Sequence, residues 1–404
     1  MLTEDLLKAV VNEQKLSFKG KNTIVRKNKI SRKSKLITIV TGVRRCGKST
    51  LLKKEFDDVE TALYINFEDP RLDSFDLGDF IKIEKIAKEE GKKYFLFDEI
   101  QNVPEWEKYI RSAHDGGRLI YISGSNASML SRELGTRLTG RYLQMELFPF
   151  NYVEYLNFKD LKAGSASFKK YMNDGGFPEF LQASNLDYLR TLLRDIIIRD
   201  IAVRRNIRNE HQLVRLATHI LSNIGKEFSF NNVTKLLSIK SVRSTIDFCD
   251  YLKESYLIEM IPRHSYSIKQ QILNPKKAYC IDTAMAKANS LSFNEDLGRM
   301  LENMVFLHIR RSAKEIFYFK NQNTECDFLV KQNGQVVSAI QSCWNINEDN
   351  MKRELEGLKL AMKSTRISKG IIITFDQEDE LDGIPLIPAW KWMQNDYLSL
   401  PTIR

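Results

Sequence analysis

The chain alternates between short, nearly continuous apolar runs and stretches where apolar residues recur every three or four positions. Residues 37–41, 61–67, 93–99 and 118–126 are such runs, rich in Ile, Val, Phe and Tyr, and most end in small or acidic residues. Runs of this kind mark strands covered on both faces, as in a parallel sheet, and ligands gather at the carboxyl ends of such strands. Residues 3–14 and the stretch from Leu51 onward carry helical spacing. The front of the chain, residues 1–160, is therefore predicted to be an α/β domain.

The pattern changes behind it. Residues 163–170 are small and polar and predict a hinge. Leu192, Leu193, Ile196, Ile197, Ile201 and Val203 predict a helix within 190–208 that leaves its other faces to arginine. Residues 211–263 have a winged helix-turn-helix pattern. A helix spans 211–224, and Ser229 caps a second with Val233, Leu236 and Leu237 inward. A turn at 238–240 leads to a third with Val242, Ile246 and Cys249 inward. Wing strands are expected at 257–261 and from Ser265 onward. A helical and winged-helix domain is thus predicted over 161–284. From 285 to 404 the order is a helix at 297–310, a strand at 315–319, a strand opened by Asp327, a strand at 335–341, a helix around Met351–Met362, and a final strand at 370–375. That order resembles the PD-(D/E)xK nuclease core.

The first chemical signal follows the first strand. Gly42-Val43-Arg44-Arg45-Cys46-Gly47-Lys48-Ser49-Thr50 fits Gly-x-x-x-x-Gly-Lys-Ser between an apolar strand and a helix start, the context a phosphate-binding P-loop needs. Its glycines let backbone N–H groups turn toward phosphate oxygens, aided by the positive end of the helix dipole. Lys48 is expected on the β- and γ-phosphates of ATP and Ser49 on Mg²⁺. Asp98-Glu99 ends the strand at 93–99 about fifty residues later, as a Walker B element does. Asp98 is expected to hold Mg²⁺ with Ser49, and Glu99 to polarise the attacking water. Ser125 and Asn126 end the next strand, either as contacts to the γ-phosphate or as turn residues. Arg137 and Arg141 read equally as fingers reaching a neighbouring subunit's ATP or as surface ion pairs.

Charge adds a partner class. Of 404 residues, 62 are Lys or Arg and 52 are Asp or Glu, giving a net charge of +10, which suits an acidic partner such as DNA without requiring one. Eight basic residues and no acid lie between Lys19 and Lys35, read as a solvated lead-in to the first strand. Six arginines face two aspartates between Arg190 and Arg208. The third helix of the winged-helix pattern mixes Lys240, Arg243 and Lys253 with Asp247, Asp250 and Glu254, which is poor for groove entry and favours a protein contact. The five cysteines, with no CxxC pair, exclude a disulfide framework and a zinc ribbon, and suit a reducing cytoplasm. Cys46 reads as a small filler rather than a redox thiol. No apolar run approaches the roughly 18–20 residues of a membrane span.

Together these motifs resemble the bacterial and archaeal AAA-type ATPases that carry a C-terminal domain of unknown function. The double-arginine P-loop, the Walker B stretch Phe97 to Trp106, Ile122 to Ala127, Leu138 to Tyr142, Gly175-Gly176-Phe177-Pro178-Glu179 and Asn274 to Asp282 all carry the likeness. It implies an ATPase fold over nearly the whole chain and a possible homo-oligomer. In the nuclease-like segment Glu302 and Asp327 survive, but Gln341-Ser342-Cys343 stands where an acid and a lysine are needed. Cleavage is expected to be lost. The function expected from all this is Mg²⁺-dependent ATP hydrolysis driving a switch or motor on nucleic acid or a protein. The alternative is a regulatory module that uses ATP as a structural ligand.

Overall fold

The computed structural model describes residues 2–16, 24–125, 138, 140–291, 296–322 and 324–397. Five strands build the front sheet: β1 (Ile37–Thr41), β2 (Ala62–Asn66), β3 (Tyr94–Asp98), β4 (Leu119–Gly124) and β5 (Tyr142–Glu146), in the order β2-β3-β4-β1-β5. Every neighbouring pair is parallel. Residues alternate between the two faces of a strand. One face sends Ile37, Ile39, Leu63, Ile65, Phe95, Phe97, Ile120 and Ile122 into a core shared with the helices α1 (Glu4–Leu16), α3 (Asp79–Glu89) and α4 (Trp106–Asp115). On the other face Phe56, just past α2 (Lys48–Glu55), packs on Tyr94 and Tyr121. Each such side chain, fully buried, contributes about 1.5–3 kcal/mol. Because β4 lies between β1 and β3, the carboxyl ends of all three sit side by side. That strand order brings the P-loop and the Asp98-Glu99 pair to one edge.

Chain contacts divide the molecule into residues 1–148 and 149–404. The rear unit holds two sheets. The smaller is antiparallel, β6 (Glu227–Phe228), β7 (Ile258–Pro262) and β8 (Lys276–Cys280), in the order β6-β8-β7. The larger is mixed: β9 (Glu315–Asn321), β10 (Thr324–Gln332), β11 (Gln335–Cys343), β12 (Gly370–Thr374), β13 (Asp379–Leu381) and β14 (Ile384–Pro388), ordered β13-β14-β12-β11-β10-β9. The helix Glu348–Thr365 covers it with Leu358 and Ala361.

Several expectations change. The hinge at 163–170 is instead the start of the helix Ser165–Asp174, because Phe168, Tyr171 and Met172 share a buried face and Ser167 bonds the Tyr152 hydroxyl at 2.7 Å. The second wing strand does not begin at Ser265; a short helix, Ile268–Leu273, intervenes and the return strand is β8. Val203, Leu236 and Val242 are exposed rather than inward. The strand at 370–374 is not the last, since β13 and β14 follow it. All five cysteines are free. Among the described residues no helix is long and apolar enough to cross a membrane.

Candidate functional site

The loop from Gly42 to Gly47 owes its shape to two glycines. A Cβ on Gly42 would lie 2.0 Å from the Leu147 carbonyl oxygen, so only glycine fits there. Gly47 sits at φ +99°, open to glycine and strained for other residues. Cys46 is buried beneath the loop, its thiol donating to the Leu147 carbonyl at 3.3 Å, and burial pushes that thiol's pKa up. Arg44 pairs with Glu68 at 2.7 Å. Arg45 is exposed, with a left-handed backbone at φ 66°.

Helix α2 then opens at Lys48. No side chain caps it and no acid lies in its first turn, which leaves its leading N–H groups to an outside acceptor. Lys48 is buried, and its Nζ donates to the carbonyls of Gly42 and Val43, each at 3.1 Å. The Glu99 carboxylate lies 3.8 Å from it. Uncapped amides and a buried ammonium curled onto its own loop are the donor set that a polyphosphate requires.

Asp98 is fully buried at the end of β3. The Tyr64 hydroxyl donates to it at 2.6 Å, and the Ser123 and Ser49 hydroxyls bond it as well. Burial, then the neighbouring Glu99, raises its pKa. A buried carboxyl next to the P-loop serine is a fitting anchor for a hard divalent cation. Glu99 follows in the left-handed region, φ 52°, an uncommon state for a side-chain-bearing residue. That turn keeps it buried on the loop side, where Gln101 Nε2 donates to its Oε2 and its own N–H reaches Ser123 Oγ at 3.4 Å. Such backbone states cluster at functional sites.

Gly42, Val43, Gly47, Lys48, Ser49, Thr50, Asp98 and Glu99 therefore converge. Ser125 Oγ, at the end of β4, is buried with no hydrogen-bond partner among the described residues. Asn126 and Arg137 lie outside those residues. Arg141 Nε is 3.3 Å from Asp115.

Three contributors were not foreseen. Arg26 belongs to the basic stretch read as a solvated lead-in, yet it is buried and donates to the Cys46 carbonyl at 3.1 Å and to the Phe148 carbonyl. Nothing in the sequence separates it from its basic neighbours. Tyr64 and Ser123, which hold Asp98, lie on β2 and β4, the two neighbours of β3, so only the strand order identifies them.

In the rear unit the arginines of 190–208 do not lie on one regular helix. The α-helix Leu186–Asp195 passes into a π-helical stretch, Ile196–Val203. Arg194, Arg199, Arg204 and Arg208 are all exposed. Arg204 lies 3.9 Å from Asp200 and Arg205 pairs with Glu254, while Arg243 on the helix Val242–Glu254 is tied to Asp247 at 3.1 Å. The two remaining sequence hallmarks meet each other. The Asp282 carboxylate accepts the Gly176 N–H at 2.6 Å and the Met285 N–H at 3.0 Å, and a Cβ on Gly175 would strike that carboxylate at 2.2 Å. Their role is structural.

The comparisons with known proteins follow the same division. Residues 34–156 match the model of an AAA domain, 165–296 a domain of unknown function, DUF8612, and 297–392 a second, DUF4143. An uncharacterized protein of Methanocaldococcus jannaschii is 34% identical over 394 residues, covering 88% of each chain. One from Haemophilus influenzae is 28% identical, covering 88% of this chain and 94% of its own. AMPPCP-bound DnaA from Aquifex aeolicus aligns with a TM-score of 0.27 at 12% identity, over 54% of this chain and 81% of that one. The P-loop in its β2-β3-β4-β1-β5 sheet, the family models and the archaeal relative agree: the chain belongs to the AAA-domain proteins that end in the DUF4143 domain.

Proposed function

We propose that this protein binds ATP with Mg²⁺, hydrolyses it, and uses the cycle to drive a conformational switch or motor acting on nucleic acid or a protein partner. The observation that carries this is Glu99: a buried acid in a left-handed turn, beside the metal-type carboxyl of Asp98 and 3.8 Å from the P-loop ammonium. A water-activating base belongs there, whereas plain storage of nucleotide needs none. The amides of the loop from Gly42 to Thr50 cradle the phosphates, Arg44 and Arg45 flank them, and Cys46 fills the space beneath. Lys48 exchanges its carbonyl partners for β- and γ-phosphate oxygens. Ser49 and Asp98 hold Mg²⁺, which supplies positive charge against the phosphates when bound. Glu99 takes a proton from water, and Gln101 orients its carboxylate. Asn126 contacts the γ-phosphate. Arg141, and Arg137 with it, reach a neighbouring subunit's nucleotide once Arg141 releases Asp115.

The exposed arginines from 194 to 208 supply the face for phosphates of a nucleic acid, and the ion-paired helix Val242–Glu254 suits a protein contact. The C-terminal domain is nuclease-like without cleavage. The test is phosphate release from ATP by the wild type and Glu99→Gln. Turnover is expected to fall about 100-fold or more with ATP binding retained. A single slow turnover that ignores the substitution would overturn hydrolysis and favour ATP as a structural ligand.

A further inference from the structure

Lys277 is a buried charge in a short strand whose last three residues, Ala278, Tyr279 and Cys280, are buried. On β8 it shares a face with Tyr279, and it is 3% exposed. Its Nζ lies 2.9 Å from Glu302 Oε1, 3.1 Å from Asp327 Oδ1 and 2.5 Å from Glu325 Oε1. Glu302 comes from the helix Leu297–Arg310, while Glu325 and Asp327 are two residues apart on one face of β10. The carboxylates are themselves fixed. Tyr279 donates its hydroxyl to Glu302 Oε1 at 2.6 Å, and the Ser342 N–H donates to Asp327 Oδ2 at 3.0 Å. Gln341 accepts the Asp327 N–H and donates to Glu354. Gly225 closes over Glu302, where a Cβ would stand 3.0 Å from its Oε2.

Two roles are open to a lysine in such a place: orienting water beside a metal, or being the cation itself. The geometry separates them. Two of the ammonium's three donors are hydrogen-bonded to Glu302 and Asp327 and Glu325 lies 2.5 Å away, so its charge is met by carboxylate on three sides. A metal bound to Glu302 and Asp327 at roughly 2.0–2.2 Å would sit between the oxygens that Nζ already bridges. Two cations cannot share that gap in a buried site.

We propose that the Lys277 ammonium is the permanent cation of this carboxylate centre, standing where a divalent metal would stand, so that the centre is closed to metal until the lysine is removed. This is independent of ATP hydrolysis in the front unit.

Nucleotide-free, full-length chain titrated with Mn²⁺, read by the loss of the free-ion paramagnetic signal, tests it. The wild type is expected to take up none at this centre. Lys277→Met is expected to hold a single Mn²⁺ per chain, at an affinity that falls about tenfold or more when Glu302→Gln is added. Should Lys277→Met not fold, Lys277→Met with Glu325→Gln removes one uncompensated charge and keeps Glu302 and Asp327 as ligands; it is expected to bind as well. A folded variant of either kind that ignores Mn²⁺ overturns the proposal. The wild type provides a check that needs no variant: Mn²⁺ uptake lost in Glu302→Gln, or Mn²⁺-dependent DNA cleavage lost in Asp327→Ala, overturns it too.

Discussion

Two buried lysines face carboxylates in this molecule, and they are in opposite circumstances. Lys48 rests its ammonium on two neutral carbonyls at 3.1 Å, with one acid 3.8 Å away. Lys277 is clasped by three carboxylates at 2.5–3.1 Å. Carbonyl partners are exchanged for phosphate at little loss, because phosphate oxygens bring the ammonium a negative charge that neutral carbonyls lack. Three carboxylate partners are not, since taking the ammonium away strands buried negative charge. Burial of a lysine therefore does not mark a ligand site by itself; the charge of what surrounds it does.

That contrast can be broken by experiment, most severely at Lys277. Lys277→Met is expected to lower the unfolding free energy by about 3–5 kcal/mol, the range for removing one partner of a buried ion pair, as measured by urea denaturation. An unchanged midpoint would mean that the three carboxylates do not need their cation. Lys48→Ala is expected to weaken ATP turnover by about 10²–10³-fold and to cost less stability than Lys277→Met, because it leaves one acid at 3.8 Å rather than three within 3.1 Å. A variant that unfolds instead would make the two lysines alike.

The smallest effect is in pH. Glu302 has a folded pKa of about 7 and Asp282 of about 6, both above their ordinary values of 4.5 and 3.8 and both raised first by burial. The folded chain therefore binds protons more tightly at these sites than the unfolded chain does. Their contribution is complete below the unfolded values and is lost as pH rises through the folded ones. From pH 4.5 to 7 the wild type should lose about 1–3 kcal/mol relative to Glu302→Gln, seen as a crossing of thermal midpoints with pH. Parallel curves would refute the raised Glu302 value.

The front site was largely legible in the sequence because its parts are contiguous. Glycine spacing, Lys48 and Ser49 follow one strand, and Asp98-Glu99 ends another, so local order alone carries the chemistry. Tyr64, Ser123 and Arg26 were not legible, because what they touch depends on which strands become neighbours and on a backbone carbonyl far along the chain. The rear centre was half legible. Glu302 and Asp327 stand out as acids in the order read as nuclease-like, and Cys343 stands where that motif calls for a lysine. The cation that completes the cluster comes from β8, in the other sheet of the unit. A lysine at an alternating position of a buried strand was the signal available. The supposed hinge failed for a related reason: small residues were weighed, while Phe168, Tyr171 and Met172 at helical spacing were not.

The bond from Gly176 to Asp282 spans 106 residues. A ribosome releases the chain from its N-terminus, so the turn at Gly175 emerges long before the acid that secures it. The front sheet, whose strands all lie between residues 37 and 146, has every hydrogen-bonding neighbour available by then. During synthesis the loop from Gly42 to Gly47 can be finished while the rear half is still waiting for its anchor.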